Sequence, residues 1–163
     1  MLRRGYDLLS SSAATAARLG SGLRVRRLGP RPTQLLELYE YESCPFCRRL
    51  REALTMLDLD AMIYPCPRGG TRFRPLVAAR GGRTKFPYLV DPNTGEAMYE
   101  SDPIIEYLYA RYGASPPPRR VRRRLSPTSA MASLLRGVRG RRARRSRAPA
   151  RPLELWSFEA SPY

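Results

Sequence analysis

The chain has 163 residues, thirty of them Lys or Arg against fourteen Asp or Glu, with a net charge of +16 and no histidine. That length holds one modest domain and flanking segments. The lack of histidine excludes His-based general acid–base catalysis, Cys–His nucleophile pairs and His-containing zinc sites. The three cysteines, Cys44, Cys47 and Cys66, fall short of a four-ligand metal site, so no metal is expected. Nor do they form the even framework of a small secreted protein. No run approaches the ~20 apolar residues needed to cross a bilayer.

The charge is unevenly placed. Residues 1–33 carry seven Arg and one acid, and residues 114–151 carry thirteen Arg and no acid. Residues 34–113 carry nine Arg, Lys85 and eleven acids, so the stretch able to fold is nearly neutral. Twenty-nine of the thirty basic residues are Arg. Phosphate contacts can use either cation, so this bias suits coding composition and weakens a nucleic-acid reading; no nucleic-acid partner is expected, the alternative being that the tail of residues 114–151 binds nucleic-acid or membrane phosphates. The first thirty residues are rich in Arg, Ser and Ala, a composition that suits a plastid or mitochondrial transit peptide. The alternatives are a disordered basic arm and a cytoplasmic protein.

In chain order, Gln34–Tyr41 alternates apolar residues with Glu imperfectly and reads as a strand. Ser43-Cys44-Pro45 then opens a helix, with Pro45 at the first helical position and Ser43 or Cys44 as its cap. Leu50, Leu54 and Leu57 recur at helical spacing, and Asp58 or Asp60 ends the helix. Ala61–Cys66 reads as a second strand, parallel to the first through a right-handed crossover. Pro67–Gly70 is a loop, Thr71–Arg80 a short helix, and Gly81-Gly82 its stop. Tyr88–Val90 and Ala97–Tyr99 form a hairpin around Asp91-Pro92-Asn93-Thr94-Gly95. Ser101 or Asp102 caps a last helix whose apolar face is Ile104, Ile105, Leu108 and Tyr112, and Gly113 stops it. The expected class is α/β, in the order β-α-β-α-β-β-α.

Residues 114–151, rich in Pro and Arg, read as a disordered linker without a packed core. Leu153–Tyr163 then echoes Leu36–Phe46, with five of eleven positions identical. An internal repeat of this kind suggests the start of a truncated second copy, residues 152–163.

Cys44 and Cys47 carry the chemistry. A thiol at a helix N-terminus meets unsatisfied N–H groups and the positive end of the helix dipole, which favour the thiolate. Arg48 and Arg49 are expected to add positive potential. Cys47, one turn on, is placed to resolve a mixed disulfide. The bland alternative is a pair of packed thiols. Phe86-Pro87, ahead of a strand, is a candidate cis bond that would present the Phe86 backbone to an extended ligand. Glu100-Ser101, at a helix start, could hold an amino acid head group, Glu100 taking the ammonium and Ser101 with free N–H groups the carboxylate. The plainer reading is an ordinary cap.

Cys-Pro-Phe-Cys after a strand, Phe-Pro-Tyr-Leu before a hairpin and Glu-Ser-x-x-Ile-x-x-Tyr-Leu together resemble the glutathione S-transferase N-terminal domain, within the thioredoxin/glutaredoxin superfamily. The CPFC pair is more similar to glutaredoxins. Tyr-Pro-Cys-Pro-Arg-Gly-Gly and Phe-Pro-Tyr-Leu-Val-Asp-Pro-Asn-Thr-Gly resemble the tandem-domain group of plants, algae and cyanobacteria. The resemblance implies a thioredoxin-like fold with a four-stranded mixed sheet flanked by helices. It implies glutathione as cofactor, Cys44 as nucleophile, Cys47 as resolving thiol, and Phe86 and Pro87 on the cysteinyl part. Glu100 and Ser101 would then hold the γ-glutamyl end. The partners implied are glutathione and a disulfide or glutathionylated substrate.

The helical domain that builds a second-substrate pocket in ordinary glutathione transferases is not legible here, so conjugation of a bulky electrophile is the weaker expectation. The leading expectation is a glutathione-dependent thiol–disulfide oxidoreductase or a glutathione-binding transferase-type domain. The alternative is a non-catalytic glutathione- or partner-binding module, including one that shares an iron–sulfur cluster. Cys66, in a Pro-Cys-Pro setting, reads as a packed thiol.

Overall fold

A computed structural model describes residues 2–17, 24–25, 28–122, 127–135 and 139–159. Its centre is a four-stranded sheet of β1 (Leu36–Glu40), β2 (Ala61–Pro65), β3 (Tyr88–Asp91) and β4 (Glu96–Tyr99), in the order β2-β1-β3-β4. β1 runs parallel to β2, with Leu36 opposite Ala61, and antiparallel to β3, with Leu38 opposite Leu89. β3 and β4 pair as the expected hairpin, Tyr88 opposite Tyr99. The mixed sheet and the interleaved helices α2 (Pro45–Leu57), α3 (Arg74–Gly81) and α4 (Ser101–Tyr112) form the expected thioredoxin-like α/β architecture.

The imperfect alternation of β1 has a physical cause: both faces of the strand are covered. Leu36 and Leu38 join the larger core with Leu50, Leu54 and Leu57 of α2 and Ile104, Ile105 and Leu108 of α4. Tyr39 points the other way, into a smaller cluster with Cys66, Val77 of α3 and Tyr88. Tyr39 stacks on Tyr64 with ring centroids 4.6 Å apart. Burying each Leu of this set contributes about 1.5–3 kcal/mol, so the α2–β1–α4 layer supplies most of the drive to fold.

The helix ends follow from local chemistry. Asp58, at φ 54, ends α2 in the left-handed region, where a short polar side chain is tolerated. Gly82, at φ 73, ends α3 in the same way without a Cβ penalty. α3 starts at Arg74, three residues later than expected, with Pro75 in its first turn. α4 starts at Ser101 with Glu100 as its cap residue, so neither Ser101 nor Asp102 is the cap.

The flanks are more structured than their composition suggests. Residues 2–17 form a helix, α1 (Leu2–Ala17), and residues 127–135 form α6 (Pro127–Leu135), which packs against both α1 and α2. The short α5 (Arg119–Arg122) buries Val121 in the larger core. The expectation of no packed core across 114–151 is therefore corrected. Scattered small and apolar residues such as Val121 and Ala132 find cover on α2 and α1, which a composition count does not register. Residues 153–158 have no regular structure, and Leu153, Leu155 and Trp156 are exposed, Trp156 to 90%. Residues 160–163, the rest of the echo, lie outside the described residues.

Candidate active site

The chain turns sharply after β1. Cys44 N–H donates to the Tyr41 carbonyl at 3.1 Å, and this turn delivers Cys44 to the N-cap of α2. With φ −79 and ψ 118 the cysteine is extended, Pro45 begins the helix, and the Cys47 N–H donates to Cys44 Sγ at 3.4 Å. Sulfur thus takes the role that a serine or aspartate oxygen usually plays at a cap.

This geometry sets the acidity of the pair. The Cys44 thiol is lowered from 9.0 to about 7, chiefly by the hydrogen bond from the Cys47 thiol and against the opposing effect of burial. The backbone N–H groups of Cys47 and Phe46 and the Tyr41 hydroxyl add to the lowering. Cys47 moves the opposite way, pushed well up by burial, by its hydrogen bond to Cys44 and by the Cys44 charge. The pair is thus split, with Cys44 ionising near neutrality and Cys47 keeping its proton as a hydrogen-bond donor to it. Cys66 is a separate buried thiol, pushed up to about 12 by burial. All three cysteines are free.

Arg48 and Arg49 do not act on Cys44 as expected. Arg48 pairs with Glu42 at 3.3 Å and Glu159 at 2.9 Å. Arg49 is buried, pairs with Asp102 at 2.6 Å and donates to Ser101 Oγ at 3.2 Å and to the Val121 carbonyl. Both charges are neutralised by acids from distant segments, so hydrogen bonds to sulfur carry the shift of Cys44.

The remaining site residues fall into two groups. Cys44 and Phe86 line one cleft of about 380 Å³, together with Tyr41, Arg74, Lys85 and others. The Phe86–Pro87 bond is cis, as the motif suggested. Phe86 lies edge-on to Tyr41 and under the Arg74 guanidinium, 4.7 Å from ring centroid to Cζ. Glu100 and Ser101 are not among the cleft-lining residues. Glu100, at φ 72, reaches the cleft through its ion pair with Lys85, which does line it. Ser101 is buried on the α2 side, its oxygen accepting from Arg49. Among the described residues no group of three or more His, Cys, Asp or Glu could hold a metal.

Tyr41, Arg68, Arg74 and Arg141 are cleft residues that the sequence reading did not single out. Tyr41 carried a signal as the last residue of a strand running into the Cys-Pro turn, and Arg68 as part of the Tyr-Pro-Cys-Pro-Arg-Gly-Gly motif.

Residues 38–118 match the family model of the glutathione S-transferase, N-terminal domain. The chain carries a domain of this family. The matched range runs from mid-β1 past the end of α4, so Cys44, Cys47, Pro87, Glu100 and Ser101 all lie within it. No curated protein and no solved structure matches the chain.

Proposed function

We propose that the domain is a glutathione-dependent thiol–disulfide oxidoreductase in which Cys44 is the nucleophile and Cys47 the resolving thiol. The observation that carries this reading is the capped Cys44 sulfur, lowered to about 7 and hydrogen-bonded by Cys47. The Cys44 thiolate attacks the glutathione sulfur of a glutathionylated substrate. A Cys44–glutathione disulfide forms, and the substrate leaves as its thiolate. A second glutathione thiolate then attacks the glutathione sulfur, freeing Cys44 and releasing oxidised glutathione. In the dithiol route Cys47 attacks Cys44 instead and glutathione leaves. Forming the mixed disulfide removes the Cys44 charge and its hydrogen bond, two of the causes that hold the Cys47 proton.

The residues suit a tripeptide thiol with two carboxylates and one ammonium. Cys44 meets the sulfur, Phe86 the extended backbone, and the cleft cations a carboxylate. Glu100 takes the ammonium once Lys85 yields it. Ser101 supports that subsite from beneath through Arg49. Placement in the tandem-domain group belongs to the same proposal, supported by residues 64–70 and the echo at 153–163.

The test is reduction of a glutathionylated peptide by glutathione, with wild type, Cys44→Ser and Cys47→Ser. Cys44→Ser is expected to fall to the uncatalysed rate, and Cys47→Ser to retain the monothiol reaction. Full activity in both variants would refute the proposal.

A further inference from the structure

The chain beyond the matched domain comes back to the mouth of the Cys44 cleft. Arg68 N–H donates to the Arg141 carbonyl at 2.7 Å, and Ala143 N–H donates to the Arg68 carbonyl at 2.9 Å. These two bonds make an isolated parallel bridge between the loop after β2 and residues 141–143. Gly140 makes the turn into it at φ +74, pressed so closely on the turn before Cys44 that a Cβ would lie 2.7 Å from Glu42 Cβ. Residues 139–143 are thus a strap held on two sides of the cleft, and Arg141 lines the cavity with Cys44.

The cations of the cleft are not equivalent. Lys85 is engaged by Glu100. Arg74 donates to the Cys66 carbonyl at 2.9 Å and lies over Phe86. Arg68 and Arg141 are exposed and, among the described residues, pair with no acid. Two like charges share one cleft, which raises the potential there for any anion that enters. A guanidinium takes a carboxylate through two parallel hydrogen bonds. The charge of Arg141 also reaches Tyr41, whose hydroxyl is hydrogen-bonded to Cys44.

We propose that the 139–143 strap is a specificity element, with the guanidiniums of Arg141 and Arg68 receiving a carboxylate on whatever molecule reacts at Cys44. Anionic reactants then outrun uncharged ones of the same shape. The inference rests on the reading of Cys44 as a nucleophile, and places part of the substrate's recognition outside the family domain.

The test uses the full chain and two alkylating agents of nearly equal shape, iodoacetate and iodoacetamide. In both, the Cys44 thiolate attacks the CH₂ carbon, a C–S bond forms and iodide leaves with its electron pair. Modification is located by mass spectrometry. At low salt the iodoacetate to iodoacetamide rate ratio at Cys44 is expected to exceed that of a free cysteine peptide. Arg141→Ala should lower the ratio about fivefold, the value of a unit charge about 4 Å away in water. Gly140→Ala, which unseats the strap by pressing on Glu42 and removes no charge, should lower it similarly, while Arg147→Ala, an equal loss of charge elsewhere in the tail, should not. A ratio equal to that of the free peptide, or one unmoved by Arg141→Ala and Gly140→Ala, overturns the inference and leaves Cys44 a nucleophile. An equal fall in Arg147→Ala overturns it in favour of overall charge. A Cys44 that neither reagent alkylates at a pH above its midpoint removes the nucleophile reading, and the inference with it.

Discussion

Replacing Cys47 by Ala tests the chemistry of the pair most directly. The Cys47 thiol is the largest single cause of the lowered Cys44 value, which stands at about 7 against an ordinary 9.0. A hydrogen bond to a charged group is worth about 1.5–3 kcal/mol, and one pH unit corresponds to about 1.4 kcal/mol. The backbone donors from Cys47 and Phe46 and the Tyr41 hydroxyl stay in place in the variant, while burial of Cys44 still opposes the thiolate. The Cys44 midpoint should therefore rise by about one to two pH units. Cys47→Ser keeps a hydroxyl donor and should rise less. The thiolate's ultraviolet absorbance, followed against pH, reads the midpoint directly. Alkylation rates at one pH are a poorer guide, because a thiolate of higher pKa is intrinsically more nucleophilic and offsets the loss. The same lowering affects stability. A thiol depressed in the folded state stabilises the fold above its ordinary value, and that contribution is lost as pH falls through about 7. Wild type should lose up to about 3 kcal/mol of this contribution between pH 9 and 7, and Cys47→Ala clearly less. A Cys47→Ala midpoint within a few tenths of a pH unit of wild type would show that the helix terminus alone sets the value.

Three further outcomes are expected. Arg49→Ala leaves Asp102 without its buried partner and removes the tie between α2, Ser101 and α5, and should cost about 3–5 kcal/mol in denaturant unfolding. A loss below about 1 kcal/mol would contradict that role. Alkaline conditions should destabilise the fold. Burial holds Tyr39, Tyr41 and Cys66 up at about 12, so the unfolded chain sheds these protons first, and stability falls as pH rises from about 9 to 12. A urea midpoint higher at pH 11 than at pH 9 would reverse the sign. We also propose that residues 1–33 direct the protein to plastids, as their acid-poor Arg/Ser composition suggests. A fluorescent fusion of that segment should enter isolated chloroplasts, and import by mitochondria alone would reassign it.

The central domain was readable because its signals are local. Pro45 at the first turn of α2, Asp58 and Gly82 at helix ends, and the Asp91–Gly95 turn each act within a few residues. The cis Phe86–Pro87 bond was legible only through its motif context. What could not be read depends on partners far along the chain. Arg48 meets Glu159, and Arg49 meets Asp102 and Val121. Glu42 is the one near partner, of Arg48, and the others lie far along the chain, so adjacency to Cys44 was misleading. Arg141 shows the converse, standing in an Arg-rich run that looked uniform and yet lining the cleft. Glu100 and Ser101 were correctly placed at the start of α4, but the one reaches the cleft only through Lys85 and the other lies beneath it.

The division of labour among the arginines yields a last prediction. Around the first turns of α2, Arg48, Arg49 and Arg51 all face acids: Glu42, Glu159, Asp102 and Glu40. The thiolate of Cys44 is held by hydrogen bonds at contact distance instead. Mobile ions screen free charges over about 10 Å at 0.1 M salt but do not enter a buried hydrogen bond. The Cys44 midpoint should accordingly move by less than about 0.3 pH unit between roughly 0.02 M and 0.5 M salt. The preference for an anionic reagent, resting on the exposed Arg68 and Arg141, should collapse over the same range. Titrating the thiolate and measuring the alkylation ratio on the same samples separates the two effects. If the midpoint climbs with salt as steeply as the ratio falls, the thiolate is being held by screened charge and not by its hydrogen bonds.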